Sequence, residues 1–337
     1  ASNHLRELEM DERREITRIL VSIADMIRPD VAEIKIGCQA LGELDFIRAK
    51  AKYALEVGAQ MPNLECKPEI DWYHAVHPGL LLSLRQHGRE VVPMNLMLDA
   101  QHRILLISGP NAGGKSVTLK TVAIVQYMMQ CGMLPTLYSN SHMGVFRKIM
   151  IDIGDQQSME NDLSTYSSHL LNMKFFVQNA DSKSLVLADE MGSGTEPQIG
   201  GAIAQAILER LAQSGCFGIV TTHYQNLKSF ADAREGLVNG AMLYDRQHLQ
   251  PTFQLSVGSP GSSFALEIAR KIGLPQDVIE QAKEIVGSDY VNIDKYLLDI
   301  ARDRRYWNNK RLGIREKESK LENLLDKYED EASDLRQ

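Results

Sequence analysis

The sequence predicts an α/β domain on a central, largely parallel sheet, preceded by a helical segment and followed by a long charged helix. Three observations carry this. Short aliphatic runs alternate with helical stretches over residues 66–287. Residues 4–61 place apolar side chains at helical spacing. From residue 288 a seven-residue period takes over.

In the first zone, residues 1–65, Leu5, Leu8, Ile16, Leu20 and Ile23 share one helical face. Arg28-Pro29-Asp30 interrupts that helix, because proline removes a main-chain donor and clashes with the preceding turn. A second helix is expected from about residue 31 to about residue 57. Two helices this charged cannot bury one another, so they are expected to pack on another part of the protein.

The middle zone, residues 66–287, opens its regular pattern with the strand "RILLIS" at 103–108, followed by a helix at 115–131. "SLVLADE" at 184–190 repeats the unit, with its helix at 198–214, and "FGIVTTH" at 217–223 supplies a third strand. "AMLYD" and "TFQLSV" flank a polar turn and read as a hairpin extending the sheet. Helices at 262–272 and 276–286, parted by "GLP", close the domain. In the last zone, 288–337, Ile293, Ile300, Trp307, Ile314, Leu321, Tyr328 and Leu335 recur at one heptad position. The companion position is only half apolar, and Gly313 interrupts the run, so the zone reads as the start of a coiled coil or as an amphipathic helix docking on its own domain.

A net charge of −7 gives no global attraction to nucleic acid, so any such contact needs a local patch. The four cysteines, Cys38, Cys66, Cys131 and Cys216, form no close pair and fit reduced thiols in a cytoplasmic protein. No apolar run reaches membrane-spanning length, so no membrane partner is expected. The chain starts without methionine and ends inside a helical pattern, and is expected to be a piece of something longer.

Between the first strand and its helix lies "GPNAGGKS", residues 109–116, the pattern GxxxxGK[ST]. Glycines at this spacing let consecutive main-chain N–H groups turn inward around phosphate oxygens. The nucleotide-binding set is therefore Gly109, Pro110, Asn111, Ala112, Gly113, Gly114, Lys115, Ser116 and Val117. Lys115 neutralises phosphate charge, the Ser116 hydroxyl ligates Mg²⁺, and the helix start adds its positive end. The implied ligands are ATP and Mg²⁺. A second acidic element is needed on a neighbouring strand, and Asp189 and Glu190 at the end of "SLVLADE" supply it. Asp189 is the expected magnesium partner and Glu190 the group that polarises the attacking water. His223, at the end of the third strand, is the candidate sensor of the γ-phosphate, with a capped or solvent-facing histidine as the plain alternative.

Taken in order, "GPNAGGKSVTLKTV", "LSTYSSHL", "LADEMGSGTEP", "TTHY" and "SPGSSFALEIARKIGLP" resemble the ATPase domain of the MutS family. The resemblance implies an ABC-type P-loop NTPase fold in which a homodimer sandwiches two nucleotides. It also implies that Asn111 contacts the γ-phosphate, that Ser164 faces the partner chain's ATP, and that Gln157 lies near the magnesium. The loop 192–196 would line the dimer interface. Ser164 and Thr165 equally suit a plain N-cap of the following helix. "DEMGSGTE" and the lack of any Phe-x-Glu resemble most the bacterial branch without mismatch-recognition domains, which usually carries a C-terminal Smr nuclease domain. That branch implies branched DNA as a partner and suppression of recombination, or alternatively a ribosome (rRNA) partner and the splitting of stalled ribosomes. A structural, chromosome-organising coiled-coil ATPase would carry a Gly-rich signature that "LSTYSSHL" lacks. The segment "GREVVPMNL" offers no aromatic to stack on adenine, leaving His77 and Tyr73 as the upstream candidates.

Overall fold

A computed structural model describes residues 2–110, 113–153, 165–245, 248, 250–262 and 264–286. By its contacts the chain divides into two units, Ala1–Gly58 and Ala59–Gln337.

The first unit is two helices, α1 (Ser2–Ile27) and α2 (Val31–Val57), joined by a single tight turn at Arg28–Asp30. Pro29 stands in the first turn of that link, where the missing N–H costs least. Gly58 ends α2 in the left-handed region at φ +66°, and its N–H reaches back to the carbonyls of Ala54 and Leu55. The expected apolar stripe, Leu5, Leu8, Ile16, Leu20 and Ile23, is exposed along α1. Short-range ion pairs such as Arg14–Asp11 and Arg18–Glu15 support the helix locally.

The second unit carries two sheets. The larger has six strands: β4 (His102–Ser108), β6 (Lys148–Asp152), β7 (Ser184–Ala188), β8 (Phe217–Thr221), β9 (Gly236–Asp245) and β10 (Gln250–Val257). Their spatial order is β10-β9-β4-β8-β7-β6. All neighbours run parallel except β9 and β10, which form the antiparallel hairpin at one edge. The smaller sheet, order β1-β5-β2-β3, joins β1 (Asn63–Glu65), β2 (Ile70–Ala75), β3 (Met94–Leu98) and β5 (His142–Gly144). Because β1 pairs with β5, residues 63–65 belong to this sheet and not to the helical segment where the sequence pattern put them.

Alternation along the parallel strands builds a core on each face of the large sheet. Leu105, Ile107, Leu185, Leu187 and Ile219 point to one side. There they meet Leu119, Val122 and Val125 of α4 (Lys115–Gln130) and Ile70, Trp72 and Leu98 of the small sheet. Ile104, Leu106, Val186 and Val220 point to the other side. They pack on α5 (Thr165–Asn179), α6 (Pro197–Ser214) and α7 (Gln225–Ala233) through Met173, Leu208 and Leu227. Each such fully buried side chain contributes about 1.5–3 kcal/mol. The unit is completed by α3 (Pro78–Gln86), α8 (Ala265–Lys271) and α9 (Gln276–Val286). The first closing helix begins at Ala265, three residues later than its sequence pattern suggests, because Phe264 takes a left-handed φ of +55° and donates its N–H to the Ser262 hydroxyl. The expected coiled coil at 288–337 lies outside the described residues.

Candidate functional site

Every parallel strand of the large sheet ends on the same side, and the predicted polar residues follow those ends. Ser108 closes β4, and Gly109 leaves it at φ +140° with its backbone against Met242 of β9. A methyl at Gly109 would stand 3.2 Å from the Met242 Cβ, so both conformation and space select glycine. Gly114 caps α4 in the left-handed region at φ +95°, which starts the helix immediately behind the loop. The chain thus turns from strand to helix within a few residues and directs the positive end of α4 at the loop.

Lys115 is the first helical residue, only 2% exposed. Its ammonium donates to the carbonyls of Gly109 at 2.9 Å and Pro110 at 3.1 Å. Burial lowers its pKa, opposed by the carboxylates of Glu190 and Asp189 and reinforced by Lys228. Ser116 is half-buried in the first turn of α4. Asn111, Ala112, Gln157 and Ser164 lie outside the described residues.

Asp189 follows β7 and is buried. One hydroxyl organises the acidic pair. Thr221, the last residue of β8, donates its Oγ1 proton to Asp189 Oδ1 and accepts the main-chain N–H of Glu190 at 2.8 Å. The Asp189 N–H in turn donates to the Asp152 carbonyl at 2.8 Å, and Met191 N–H donates to the Thr221 carbonyl at 3.1 Å. Glu190 takes φ +46°, a left-handed conformation costing a non-glycine residue on the order of 1–3 kcal/mol. Such strain persists only where neighbours over-determine it, and the main-chain N–H bonds of Asp189, Glu190 and Met191 do so here.

His223 Nε2 stands 3.5 Å from Glu190 Oε1, the two side chains 38% and 45% exposed. Burial pushes the His223 pKa down, the Lys115 charge pushes the same way, and Glu190 opposes both. The predicted Lys115, Asp189, Glu190 and His223 therefore share one electrostatic neighbourhood. Sequence reasoning missed Thr221 as its organiser. The doubled threonine in "TTHY" was on view, but only pairing of β7 with β8 sets that hydroxyl beside the acidic pair.

The loop after Glu190 is held as firmly. Tyr224 donates its hydroxyl to the Gly192 carbonyl at 2.8 Å. Glu196 caps α6 by accepting from the N–H groups of Gln198 and Ile199, which lowers its pKa.

Beside the first turn of α4 opens an apolar cavity of about 400 Å³. Gly114, Val117 and Thr118 form the wall shared with the loop, and His77, Val91 and Phe253 come from elsewhere in the chain. Phe253 sits at a bulge in β10, itself left-handed at φ +55°, with its ring against Gly114. His77 caps α3: its Nδ1 accepts the Leu80 N–H at 3.1 Å, so the acceptor nitrogen carries no proton. Tyr73 is exposed and does not line this cavity, so of the two upstream candidates only His77 reaches it.

Comparison with known proteins bears on this arrangement. The family described as "MutS domain V" matches residues 105–288, from the first site strand to the end of the closing helices. The chain belongs to the MutS family. It carries that family's ATPase domain. The protein named endonuclease MutS2 of Finegoldia magna is 40% identical over 330 residues, covering 98% of this chain and 41% of that protein. The endonuclease MutS2 of Thermomicrobium roseum is 43% identical over 307 residues, covering 89% and 39% respectively. That of Carboxydothermus hydrogenoformans is 38% identical over 328 residues, covering 95% and 41%. The chain thus spans about two fifths of the length of these relatives. Among the described residues, no helix is long and apolar enough to cross a membrane.

Proposed function

We propose that this domain binds ATP with Mg²⁺ and hydrolyses it at a site completed by a second copy of the chain. The whole protein would use that cycle to bind branched DNA and suppress homologous recombination. The observation that carries the reading is the convergence of Lys115, Asp189, Glu190 and His223 beyond the ends of three adjacent strands, tied together by Thr221.

The residues fit the ligand. A loop that only glycine can form at Gly109, a buried ammonium at Lys115 and a buried carboxylate at Asp189 are the groups a magnesium–triphosphate requires. Mg²⁺ held by Ser116 and Asp189 would supply charge neutralisation on the phosphate oxygens. The main-chain N–H groups of the loop, Asn111 and Lys115 hold the triphosphate. The apolar cavity receives the nucleobase between His77, Val91 and Phe253. Glu190 accepts a proton from the attacking water while Lys115 stabilises charge on the transferring phosphoryl group. His223 faces both Glu190 and the phosphate end, so it reports whether the γ-phosphate is present. By the family resemblance, Ser164 and the loop 192–196 would face the partner's nucleotide and Gln157 would serve the magnesium. ATP then closes the dimer and hydrolysis opens it. The relatives' name, endonuclease, supports a nucleic-acid substrate, and no residue of this chain is assigned that cutting activity.

The test uses full-length protein carrying Glu190→Gln, incubated with ATP, a four-way DNA junction and ribosomes together. Turnover should fall by about a hundredfold or more while ATP stays bound. The junction should be captured and the ribosomes left free. Hydrolysis at the parent rate would remove Glu190 as the base. Co-sedimentation with ribosomes in the presence of junction DNA would replace the recombination reading by a ribosome-acting one.

A further inference from the structure

One buried carboxylate has no part in the chemistry above. Asp152 is the last residue of β6 and is 5% exposed. Its carbonyl already serves the sheet end by accepting the Asp189 N–H. Its side chain does something else. Oδ2 accepts from His169 Nδ1 at 2.7 Å, and Oδ1 accepts from Asn172 Nδ2 at 2.8 Å. His169 and Asn172 stand one turn apart on α5, so a single carboxylate holds one face of that helix with both oxygens.

Energetics make this arrangement informative. A buried carboxylate costs several kcal/mol of desolvation, which its hydrogen bonds at best offset. The fold needs no charge there. Met173 and Phe176 already seat α5 in the apolar core beside Met150 and Val186. Apolar burial is non-directional and tolerates small rotations and slides of a helix. Two short hydrogen bonds to one ionised group do not. What the carboxylate adds to α5 is therefore position.

The position concerns two parts of the site. At the strand end, Asp152 is bonded through its main chain to Asp189. At the other end, α5 starts at Thr165, directly after Ser164 in sequence, and Tyr166 packs against the loop at Gly194. We propose that Asp152, His169 and Asn172 form a positioning clamp that fixes the start of α5 relative to Asp189. The first turn of α5 is thereby kept in register with the strand end that carries Asp189. This rests on the composite-site reading above.

The experiment compares the full-length parent with Asp152→Asn, His169→Ala and His169→Asn. Three quantities are read: affinity for a fluorescent ATP analogue, kcat and KM for ATP, and the dependence of turnover per chain on protein concentration. Asparagine at 152 keeps the volume but turns an amide N–H₂ toward a donor. Asparagine at 169 sets an amide nitrogen where Nδ1 stands. Asp152→Asn and His169→Ala should lower kcat about ten- to a hundredfold, the range a small misplacement of a reacting group produces. Analogue affinity and KM should stay within about twofold, a change worth less than about 0.5 kcal/mol. His169→Asn should recover most of the parent kcat. Parent kcat in Asp152→Asn and His169→Ala overturns the clamp. So does a parallel loss of kcat, analogue affinity and folded protein, the sign of a purely structural pair, and so does failure of His169→Asn to rescue. Should parent turnover per chain not rise with protein concentration, the composite site has failed instead. A parent that responds, with variants responding identically, isolates the failure to the clamp.

Discussion

At the loop end of the site the buried polar groups are fastened by hydrogen bonds at strand ends, whereas the adjoining cavity draws its walls from three distant segments. Gly109, Lys115, Asp189, Glu190 and Thr221 all lie within one or two residues of where β4, β7 or β8 stops, or at the first turn of α4. Lys115 donates to two loop carbonyls, while the Asp189 carboxylate and the Glu190 main-chain N–H share the Thr221 hydroxyl. The cavity is lined by His77 before α3, Val91 before β3 and Phe253 in β10, and apart from the His77 cap its shape rests mainly on packing. On the proposed function, the end that would stabilise developing charge is pre-organised by directional bonds. The end that need only exclude water is not.

That contrast can be broken most severely at Lys115. Lys115→Ala removes a buried cation that is bonded to the loop carbonyls and faces the field of the acidic pair. Turnover should drop at least about a hundredfold, as for loss of a single charge-stabilising donor at a transition state. Steady-state ATP hydrolysis checks this, and parent turnover would show that the loop is a tight turn and nothing more.

A smaller effect is expected at Thr221. Thr221→Val keeps the shape and leaves Asp189 Oδ1 and the Glu190 N–H without the partner they share. Stability should fall by about 1–3 kcal/mol, the cost of orphaned buried polar groups. With its own N–H bond lost, Glu190 keeps only the flanking Asp189 and Met191 main-chain bonds to hold its positive φ, and kcat should fall about tenfold as the residue relaxes. Thr221→Ser retains the hydroxyl and should keep both. Urea unfolding and kcat of the two variants side by side decide it. A serine variant as damaged as the valine one would trace the effect to the lost methyl.

Phe253 sharpens the comparison from the cavity side. Phe253→Ala opens the wall against Gly114 but leaves every bond at the loop end in place. An aromatic contact of about 0.5–1.5 kcal/mol corresponds to a two- to tenfold rise in KM for ATP, with kcat unchanged. Unchanged KM would move the nucleobase out of this cavity.

The same contrast explains what was legible in the sequence. The parallel sheet, the hairpin and the helices behind the loop were readable because aliphatic runs and helical periods are local signals. The loop was readable because its chemistry is written in eight consecutive residues. Asp189, Glu190 and His223 were readable because each closes an apolar run, and strand ends are where an α/β sheet exposes side chains. The small sheet was not foreseen. Its strands are three to six residues long, and β5 pairs with β1 and β2 across more than seventy residues of sequence. Phe253 escaped for a related reason. Alternation along β10 breaks at the bulge between Pro251 and Leu255, so no period-two pattern says which way its ring faces. Thr221 and Asp152 needed strand order, which a sequence pattern does not encode.

The mildest perturbation lies at His77, where cavity and helix cap meet. Its Nδ1 must stay unprotonated to accept the Leu80 N–H, and burial together with the nearby Lys120 charge lowers its pKa below the ordinary 6.5. The unfolded chain therefore takes up a proton at a higher pH than the folded one does. Stability is complete above about pH 6.5 and declines as pH falls from there through the lowered folded value. His223, also pushed down, adds to the same decline. His77→Asn keeps an acceptor in the capping position and removes the titrating group. Its thermal midpoint should match the parent at about pH 7.5 and exceed it at about pH 5.5. His77→Ala loses the cap as well, at a cost of about 1 kcal/mol, or about 2–4 °C at either pH. If His77→Asn declined toward acid as steeply as the parent, the pH dependence would belong to His223 and the acidic pair, and the cavity wall would be electrostatically silent.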